Sequence, residues 1–387
     1  MALPEKSLFH PDPERSATLP GSYYFDPGIY AREVEEIWFK TWQFVGYARD
    51  LARPGDYLTA DILDQKILVS RGKDGRLRAF HNVCMHRGHV LAEGKGNKTV
   101  FTCPFHAWSY DTTGALRAAG NAENVAGFRL EDFSLSEIRV ERLGHMVFVN
   151  LSADGPALAE MCGGIIEEFQ SVVPRYDRLY NFRRDRYEVK ANWKLAFDQM
   201  ECYHCPHLHP QIMGKDAYLE PSFDIVEREY WATHITSGNA KVIGGEKGSL
   251  PYEFGPDEEI NNGHIWWIWP NLVFVAHRGP ANLKTMHIVP DGPERFVQHI
   301  DNLVADDPPQ PKTLSNIDYN RDVLQPQDLG AMESQQLGLH ARGYTQGRLM
   351  VDRERSWRSE HGTHHFDRLV WEAIHGPHYP AGQAAAG

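Results

Sequence analysis

Residues 81–91 read HNVCMHRGHVL and residues 102–116 read TCPFHAWSYDTTGAL, and these two stretches are the most informative part of the sequence. Each stretch offers one thiol and one imidazole side chain, in the pairs Cys84 with His86 and Cys103 with His106. A [2Fe–2S] cluster can be held by two Cys on one iron and two neutral His on the other, which raises its reduction potential. The two stretches therefore predict an electron-carrying metal centre held between two loops.

A structural zinc site is the alternative, because zinc accepts the same four donors in a tetrahedron. Zinc fingers usually place Cys with Cys and His with His, whereas each stretch here contributes one residue of each type. The spacing therefore favours the iron–sulfur cluster. A zinc protein would hold no acid-labile sulfide, so a sulfide assay separates the two.

The composition is that of a globular protein with more than one domain. The 387 residues exceed what one small core needs, and 42% hydrophobic with 24% charged residues is an ordinary balance. A net charge of −12 disfavours a nucleic-acid partner. No apolar run approaches the ~20 residues that span a bilayer, and the N-terminus lacks a signal-peptide core. We therefore expect no membrane partner and a cytoplasmic location.

The remaining cysteines do not suggest a disulfide framework, because Cys162, Cys202 and Cys205 are an odd number. Cys202 and Cys205 are spaced as C-x-x-C, which elsewhere is typical of a redox pair. Here the same segment is better explained by a second metal site.

Short stretches rich in β-forming residues predict a small antiparallel β domain over residues 41–150, with the four cluster ligands on two loops at one end. These stretches are 56–60, 66–70, 77–80, 98–102 and 146–150. Asp74-Gly75 predicts a hairpin turn within them. An amphipathic helix over residues 33–44 is predicted to precede the domain.

Residues 1–40 and 151–387 are predicted to form a larger catalytic domain, with a central antiparallel sheet flanked by helices. The predicted helices are 156–173, 193–204 and 316–339, the last with a break near Pro326, and the predicted strands are 186–190, 264–275 and 283–289. Strands that feed one sheet beside segregated helices indicate an α+β fold class.

A second constellation lies in NWKLAFDQMECYHCPHLHP, residues 192–210. His204 and His209 are five residues apart, so a regular helix would not place both on one face; one is expected at a helix end. Two imidazoles with one carboxylate leave open positions on Fe(II) for O2. A chain with 20 His has many incidental pairs, so two structural histidines are the alternative.

These motifs together resemble the catalytic alpha, or large, subunit of the Rieske non-haem iron oxygenases. The two opening stretches are similar to the loops that hold the family's Rieske cluster, and ECYHCPHLHP resembles its iron-binding motif. The segment QDLGAMESQQLGLHARGYTQGRL, residues 327–349, resembles the region that supplies a carboxylate ligand. The resemblance implies a mononuclear Fe(II) held by His204, His209 and Asp328, with Asp322 and Glu333 as weaker candidates for the carboxylate.

The resemblance also implies a carboxylate that connects the two metal centres. Glu201 lies three residues before His204, near the same face if the segment is helical. In the family this position links the iron ligand to a cluster histidine, here His106, of a neighbouring subunit. The sequence departs from the family at Phe197, where an Asn is usual, so Asp198 is an alternative or additional bridge. It also departs at Ala107, where Gly is usual.

The partners follow from the same resemblance. It implies a homotrimer, in which one chain's cluster reduces the next chain's iron. It also implies a separate NAD(P)H-dependent flavin and iron–sulfur reductase, because the chain shows no G-x-G-x-x-G turn for a nucleotide. O2 and a small-molecule substrate complete the expected set.

The expected substrate is a small quaternary amine, because ECYHC and SEHGTHHFDRLVWEAI resemble the branch that acts on glycine betaine, stachydrine and carnitine. The predicted reaction is hydroxylation of an N-methyl carbon followed by loss of formaldehyde. An aromatic cage would suit such a cation, and its candidates are Phe197, Tyr203, Trp267 and Trp269, with ordinary core packing as the alternative. An aromatic ring-hydroxylating dioxygenase is the alternative function, and an electron-transfer Rieske protein without oxygenase activity is a weaker one.

Overall fold

A computed structural model describes residues 8–201, 204–210, 223–236 and 257–379. The chain divides into two compact units, Trp38–Cys162 and a second unit made of Met1–Ile37 with Gly163–Gly387. The domain bounds 41–150, 1–40 and 151–387 stay a prediction from the sequence. The α+β class is confirmed, since each unit is built on an antiparallel sheet and the second carries most of the helices.

The first unit contains ten strands, most of them short. They are β1 (Gln43–Tyr47), β2 (Asp56–Ile62), β3 (Gln65–Arg71), β4 (Leu77–His81), β5 (Lys95–Asn97), β6 (Val100–Thr102), β7 (Ser109–Asp111), β8 (Leu116–Ala118), β9 (Glu137–Leu143) and β10 (Met146–Asn150). Seven form a sheet in the order β1-β10-β9-β4-β3-β2-β5, and β6-β7-β8 form a separate three-stranded sheet. The stretch 81–91 follows β4, and the stretch 102–116 runs from the end of β6 through β7 to β8.

Alternation along these strands builds the core of the first unit. Ile67 and Val69 of β3 and Val147 and Val149 of β10 are fully buried in one cluster. Gly75 adopts φ +78° at the predicted turn between β3 and β4, a backbone conformation that favours glycine. The apolar side chains thus fix the register of the sheet that carries the cluster loops.

The second unit is built on one antiparallel sheet of seven described strands. They are β11 (Tyr180–Val189), β12 (Phe223–Glu227), β13 (Trp231–Thr236), β14 (Gly263–Ile268), β15 (Leu272–Ala276), β16 (Asn282–Pro290) and β17 (Phe296–Val304). Their order is β11-β17-β16-β15-β14-β13-β12. The predicted strand 264–275 is a hairpin, because Pro270 cannot donate to a ladder and the chain reverses between β14 and β15.

Helices within the described residues are mostly short. They are α1 (Pro27–Glu33), α2 (Leu158–Met161), α3 (Ile165–Val172), α4 (Leu195–Asp198), α5 (Cys205–Leu208), α6 (Pro311–Tyr319), α7 (Gln325–Leu339) and α8 (His361–His375). Two π-helical segments, Val34–Trp38 and Asn320–Leu324, follow α1 and α6. Over these described ranges, no helix combines the length and apolarity that crossing a bilayer requires.

Four predicted helices differ from those observed. The helix predicted over 33–44 starts earlier, since Asp26 caps α1 through the N–H of Gly28 at 2.7 Å. The helix predicted over 156–173 is two helices separated by Gly164, whose φ is +88°. The helix predicted over 193–204 is wrong: α4 ends at Asp198, and α5 begins beside Pro206, which cannot continue a preceding helix. The helix predicted over 316–339 with a break near Pro326 starts earlier, at Pro311, and its regular α-helix is interrupted by the π-helical segment that ends directly before α7 and Pro326.

Candidate metal centres

The two cluster loops share one backbone pattern. The carbonyl of Cys84 accepts the N–H of Gly88 at 3.0 Å, and the carbonyl of Cys103 accepts that of Ala107 at 3.0 Å. In each loop the cysteine N–H also donates to a carbonyl five residues later, at 2.8 and 2.7 Å. Both cysteines are therefore held in turns closed by the same two hydrogen bonds.

Ala107 adopts the conformation that glycine has in the other loop. Its φ is +59°, and the φ of Gly88 is +74°. A Cβ in this left-handed region costs roughly 1–2 kcal/mol. The departure from the family's Gly thus leaves the loop conformation in place and adds local strain.

The four cluster donors divide between the interior and the surface. Cys84 and Cys103 are each 2% exposed, whereas His86 and His106 are exposed. The two imidazole centroids lie 4.7 Å apart, and Trp108 stacks on His86 at 4.8 Å. A [2Fe–2S] cluster fits this set: the buried Cys84 and Cys103 would hold one iron and the exposed His86 and His106 the other, and the cluster would supply electron transfer.

Tyr110 is a residue near the cluster that sequence reasoning missed. Its hydroxyl oxygen lies 3.4 Å from Cys84 Sγ and accepts the N–H of Met85 at 3.0 Å. Burial and the neighbouring Cys84 sulfur raise the pKa of Tyr110, so the hydroxyl keeps its proton and can donate to a thiolate. Hydrogen bonds to the sulfurs help to set a cluster's potential. Its position two residues after Trp108, within the second cluster stretch, was the sequence signal that could have identified Tyr110.

A second group of donors forms in the catalytic unit. The ligand atoms of His204, His209 and Asp328 all lie within 4.8 Å of one another. His204 is the N-cap of α5 and His209 its C-cap, so a four-residue helix holds one imidazole at each end. Asp328 comes from the first turn of α7. Two imidazoles and one carboxylate match the donor set of non-haem Fe(II) oxygenases.

Hydrogen bonds select which ring nitrogen of each histidine faces this centre. His204 Nδ1 lies 2.8 Å from Glu201 Oε1, and His209 Nδ1 lies 2.8 Å from Gln327 Oε1. Both oxygens accept, so each Nδ1 carries the proton and donates. The Nε2 atoms then remain for a metal, with His209 Nε2 2.8 Å from Asp328 Oδ1. This arrangement of outer partners is typical of histidine metal ligands.

The electrostatics also suit a bound cation. Burial disfavours protonation of His204, but its contacts with Cys205 and Glu201 raise the pKa of His204 to about 11. Burial likewise opposes protonation of His209, while the Asp328 carboxylate raises its pKa. The groups that would stabilise an imidazolium here stabilise a metal ion in the same way. The residues present therefore fit a mononuclear iron.

Glu201 and Asp198 lie in different surroundings. Glu201 holds His204 twice, because its Oε2 also accepts the His204 backbone N–H at 3.2 Å. Asp198 points into the protein: its Oδ1 is buried without a hydrogen-bond partner among the described residues. Tyr24 donates to the Asp198 carboxylate, yet burial raises the pKa of Asp198 to about 7. Glu201 therefore contacts the candidate iron ligand His204 directly, whereas no hydrogen bond between Asp198 and the three donors is seen among the described residues.

Three of the four predicted cage residues lie in an aromatic core. Phe197, Trp267 and Trp269 are at most 3% exposed. Phe366 of α8 stacks on Phe197 at 4.3 Å and lies 5.8 Å from Trp267 and 5.5 Å from Trp269. These contacts give the three residues a packing role, and a substrate contact stays a prediction. Tyr203 lies outside the described residues.

The weaker carboxylate candidates are engaged elsewhere. Asp322 pairs with Arg321 at 2.5 Å, and Glu333 accepts the backbone N–H of Lys190 at 3.0 Å. Asp328 is therefore the acid that the fold brings to the two histidines. Gln327 was missed by sequence reasoning, although its position directly before Asp328 was a usable signal.

Comparison with known families agrees with both centres. Residues 41–129 match the Rieske [2Fe-2S] domain, and residues 176–376 match the catalytic domain of the ring hydroxylating alpha subunit. Together the two matches include every described residue of the two donor sets.

Curated relatives and solved structures extend the similarity to nearly the whole chain. The chain is 34% identical to the carnitine monooxygenase oxygenase subunit of Acinetobacter baumannii, over 95% of this chain and 97% of that protein. It is 30% identical to the chloroplastic choline monooxygenase of Spinacia oleracea, over 92% of this chain and 77% of that protein. The crystal structure of the quaternary ammonium Rieske monooxygenase CntA with γ-butyrobetaine superimposes with a TM-score of 0.81 at 32% identity, covering 97% and 99% of the two chains. The chain therefore belongs to the Rieske oxygenase alpha subunits, with a Rieske [2Fe–2S] cluster and a mononuclear iron as its cofactors.

Proposed function

We propose that the chain is the oxygenase subunit of a system that hydroxylates an N-methyl carbon of a small quaternary amine. One oxygen atom of O2 enters the C–H bond, and the other leaves as water after taking up two electrons and two protons. The resulting carbinolamine loses formaldehyde and a proton and leaves a tertiary amine. The observation that carries the substrate class is the near full-length similarity to carnitine and choline monooxygenases.

In this proposal His204, His209 and Asp328 are the iron ligands. The bound iron would supply the activation of O2 beside the substrate. Gln327 and Glu201 keep the two imidazoles in the tautomer that presents Nε2. The proposed cluster ligands are Cys84, His86, Cys103 and His106. The protonated hydroxyl of Tyr110 lies beside the Cys84 sulfur and can donate a hydrogen bond to it.

Glu201 is the proposed bridge between the two centres, with His106 of a neighbouring subunit as its second partner. Its carboxylate already accepts from the ring and the backbone of His204. Asp198 is the weaker candidate, because its buried Oδ1 and its bond from Tyr24 direct it inward. A homotrimer and a separate NAD(P)H-dependent flavin and iron–sulfur reductase follow as the proposed partners.

Product analysis tests the proposal. The iron-loaded protein, a surrogate reductase, NADH and γ-butyrobetaine, L-carnitine or choline are incubated with O2, and formaldehyde is measured against NADH consumed. We expect formaldehyde and the tertiary amine in equal amounts. Trimethylamine without formaldehyde would place the oxygen on a chain carbon instead. Formation of a cis-diol from an arene, with no amine oxidised, would favour the ring-hydroxylating dioxygenase.

The bridge has its own variant. Glu201→Gln keeps the side-chain shape but removes the charge that pairs with two imidazoles, so we expect a loss of turnover of roughly 100-fold or more with both metals retained. Iron and acid-labile sulfide analysis checks the metals, and Glu167→Gln on the exposed face of α3 is the control. Normal turnover in Glu201→Gln together with a loss in Asp198→Asn would transfer the bridging role to Asp198.

A further inference from the structure

An aromatic side chain supports one of the two exposed cluster imidazoles. The indole of Trp108 stacks on the ring of His86, with 4.8 Å between the centroids and 14° between the planes. His106 meets the same imidazole nearly at a right angle, with 4.7 Å between the centroids. His86 is exposed to solvent, and it therefore has a flat apolar partner on one ring face.

The indole belongs to the other cluster loop. The carbonyl of Trp108 accepts the N–H of Cys103 at 2.7 Å, which is one of the two hydrogen bonds that close that loop. Trp108 is 7% exposed and lies in one apolar cluster with Cys84 and Cys103. A residue fixed to the second loop thus supports the imidazole of the first.

Two phenylalanine rings hold the indole in place. Phe128 and Phe133 meet Trp108 in T-shaped contacts, at 5.5 and 5.7 Å between centroids. They stack on each other at 4.9 Å, and both come from the segment between β8 and β9. Aromatic pairs in these geometries stabilise a fold beyond the area that they bury. We call Trp108, Phe128 and Phe133 the aromatic clamp.

This clamp favours the oxidised cluster over the reduced one. Oxidised iron draws electron density from an imidazole ligand, and the negative face of an indole stabilises the more positive ring. The indole also keeps water from one face of His86, and reduction adds a negative charge that water would stabilise. Solvent exposure is among the factors that set the potential of an iron–sulfur cluster. Both effects lower the reduction potential.

We propose that Trp108 is a positioning residue for His86 and that the aromatic clamp lowers the reduction potential of the cluster. Trp108 acts through the imidazole rather than by binding iron itself. The inference rests on the Rieske cluster and not on the proposed amine substrate. It applies equally to an alpha subunit that oxidises an arene.

Reduction potentials test the clamp without turnover. The cluster-loaded protein and its variants are titrated with a reductant and mediator dyes in the absence of O2 and amine, and visible absorbance reports the reduced fraction. We expect Trp108→Leu to raise the equilibrium constant for reduction about three- to tenfold, the range that one aromatic pair contributes; tenfold corresponds to ~59 mV for one electron. Trp108→Phe keeps a flat ring and should restore most of the parent value. Iron and acid-labile sulfide analysis checks that each variant retains the cluster.

Phe101→Leu is the matched control. Phe101 is a buried ring of the same unit, 1% exposed, and it contacts Tyr57 with 5.4 Å between centroids. It lies in a different apolar cluster from Trp108. Its replacement removes core packing of a similar kind, so stability should fall while the potential stays at the parent value.

Three results would overturn the proposal. They are an unchanged or lower potential in Trp108→Leu, the same rise in Trp108→Phe as in Trp108→Leu, or the same rise in Phe101→Leu. If Trp108→Leu does not retain the cluster, the double variant Phe128→Leu with Phe133→Leu is measured in its place, and a potential equal to that of the parent protein counts against the clamp. Failure of the proposed function is a separate result, because it is read from the products and not from the potential.

Discussion

Gly88 and Ala107 are equivalent residues in the two cluster loops, each four positions after a cysteine and each in the left-handed region. The sequence marked Ala107 as a departure, and the structure shows that the turn forms in spite of it. The hydrogen bonds that Gly88 and Ala107 donate to the carbonyls of Cys84 and Cys103 are both 3.0 Å long, so the loop conformation is enforced by its surroundings. The strain of the left-handed backbone conformation therefore remains at Ala107.

Ala107→Gly should therefore stabilise the cluster unit. Removal of the Cβ relieves the left-handed penalty, and the extra freedom of glycine in the unfolded chain offsets part of that gain, leaving about 0.5–1 kcal/mol. Thermal unfolding of the cluster-loaded protein, followed by loss of visible absorbance, measures this. Ala118→Gly is the matched control, since Ala118 is exposed in β8 at negative φ and should lose stability. A lower midpoint for Ala107→Gly would contradict the strain.

At the scale of elements, α5 and α7 carry the iron donors. The four residues of α5 separate His204 and His209 so that both imidazoles converge, and the first turn of α7 adds Asp328 together with Gln327. Two consecutive residues of one helix thus contact both ring nitrogens of His209. The first turn of α7 therefore orients the imidazole ring of His209.

Gln327→Ala should weaken metal binding without unfolding the protein. Loss of the Nδ1 acceptor releases the tautomer of His209, and outer partners of this kind contribute about 10- to 100-fold in metal affinity. Competition of Fe(II) or Co(II) with a chelator measures the change while the cluster absorbance reports on the other centre. Gln335→Ala, at an exposed position of the same helix, should have no effect. Equal affinities for the two variants would assign the orientation of His209 to packing.

In the catalytic unit, residues far apart in the chain form a buried cluster of charged side chains. Lys194 pairs with Glu33 at 2.6 Å, and both side chains are fully buried. The charge of Lys194 also acts on Asp198 and on Asp367 of α8. Burial raises the pKa of Asp198 and of Asp367. The single Lys194 ammonium therefore cannot neutralise the carboxylates of Glu33, Asp198 and Asp367 together.

This cluster should give stability a characteristic dependence on pH. An unfolded Asp titrates near 3.9, and Asp198 in the fold titrates at about 7. Between these values the folded state binds more protons than the unfolded state, so the free energy of unfolding falls as pH rises, by up to ~1.4 kcal/mol per unit from this group. Asp198→Asn should remove that slope. Unfolding midpoints from pH 4.5 to 7.5 measure it.

The control for this experiment is Asp61→Asn, because Asp61 is exposed on β2 and pairs with the exposed Lys66. It should leave the slope unchanged. A parallel pH profile for Asp198→Asn and the parent protein would show that Asp198 ionises in the fold as it does in the unfolded chain.

Short motifs in the amino-acid sequence are enough to predict the donor types of both metal centres. Cys84, His86, Cys103 and His106 stand within short loops, and local turn hydrogen bonds suffice to pair each thiol with its imidazole. The β-rich stretches also indicated the sheets, because alternation along a strand is a local signal. The helix predicted over 193–204 failed because α4 already ends at Asp198, with a turn at Gln199, and the proline at 206 begins a separate helix.

Contacts between residues far apart in the chain become visible only in the folded protein. Gln327 reaches His209 across 118 residues, and Lys194 reaches Glu33 across 161. Lys284 of β16 likewise reaches Asn320 of the π-helical segment across 36 residues. Spacing along the chain carries no information about such contacts, since burial of apolar side chains brings these elements together and the polar groups follow.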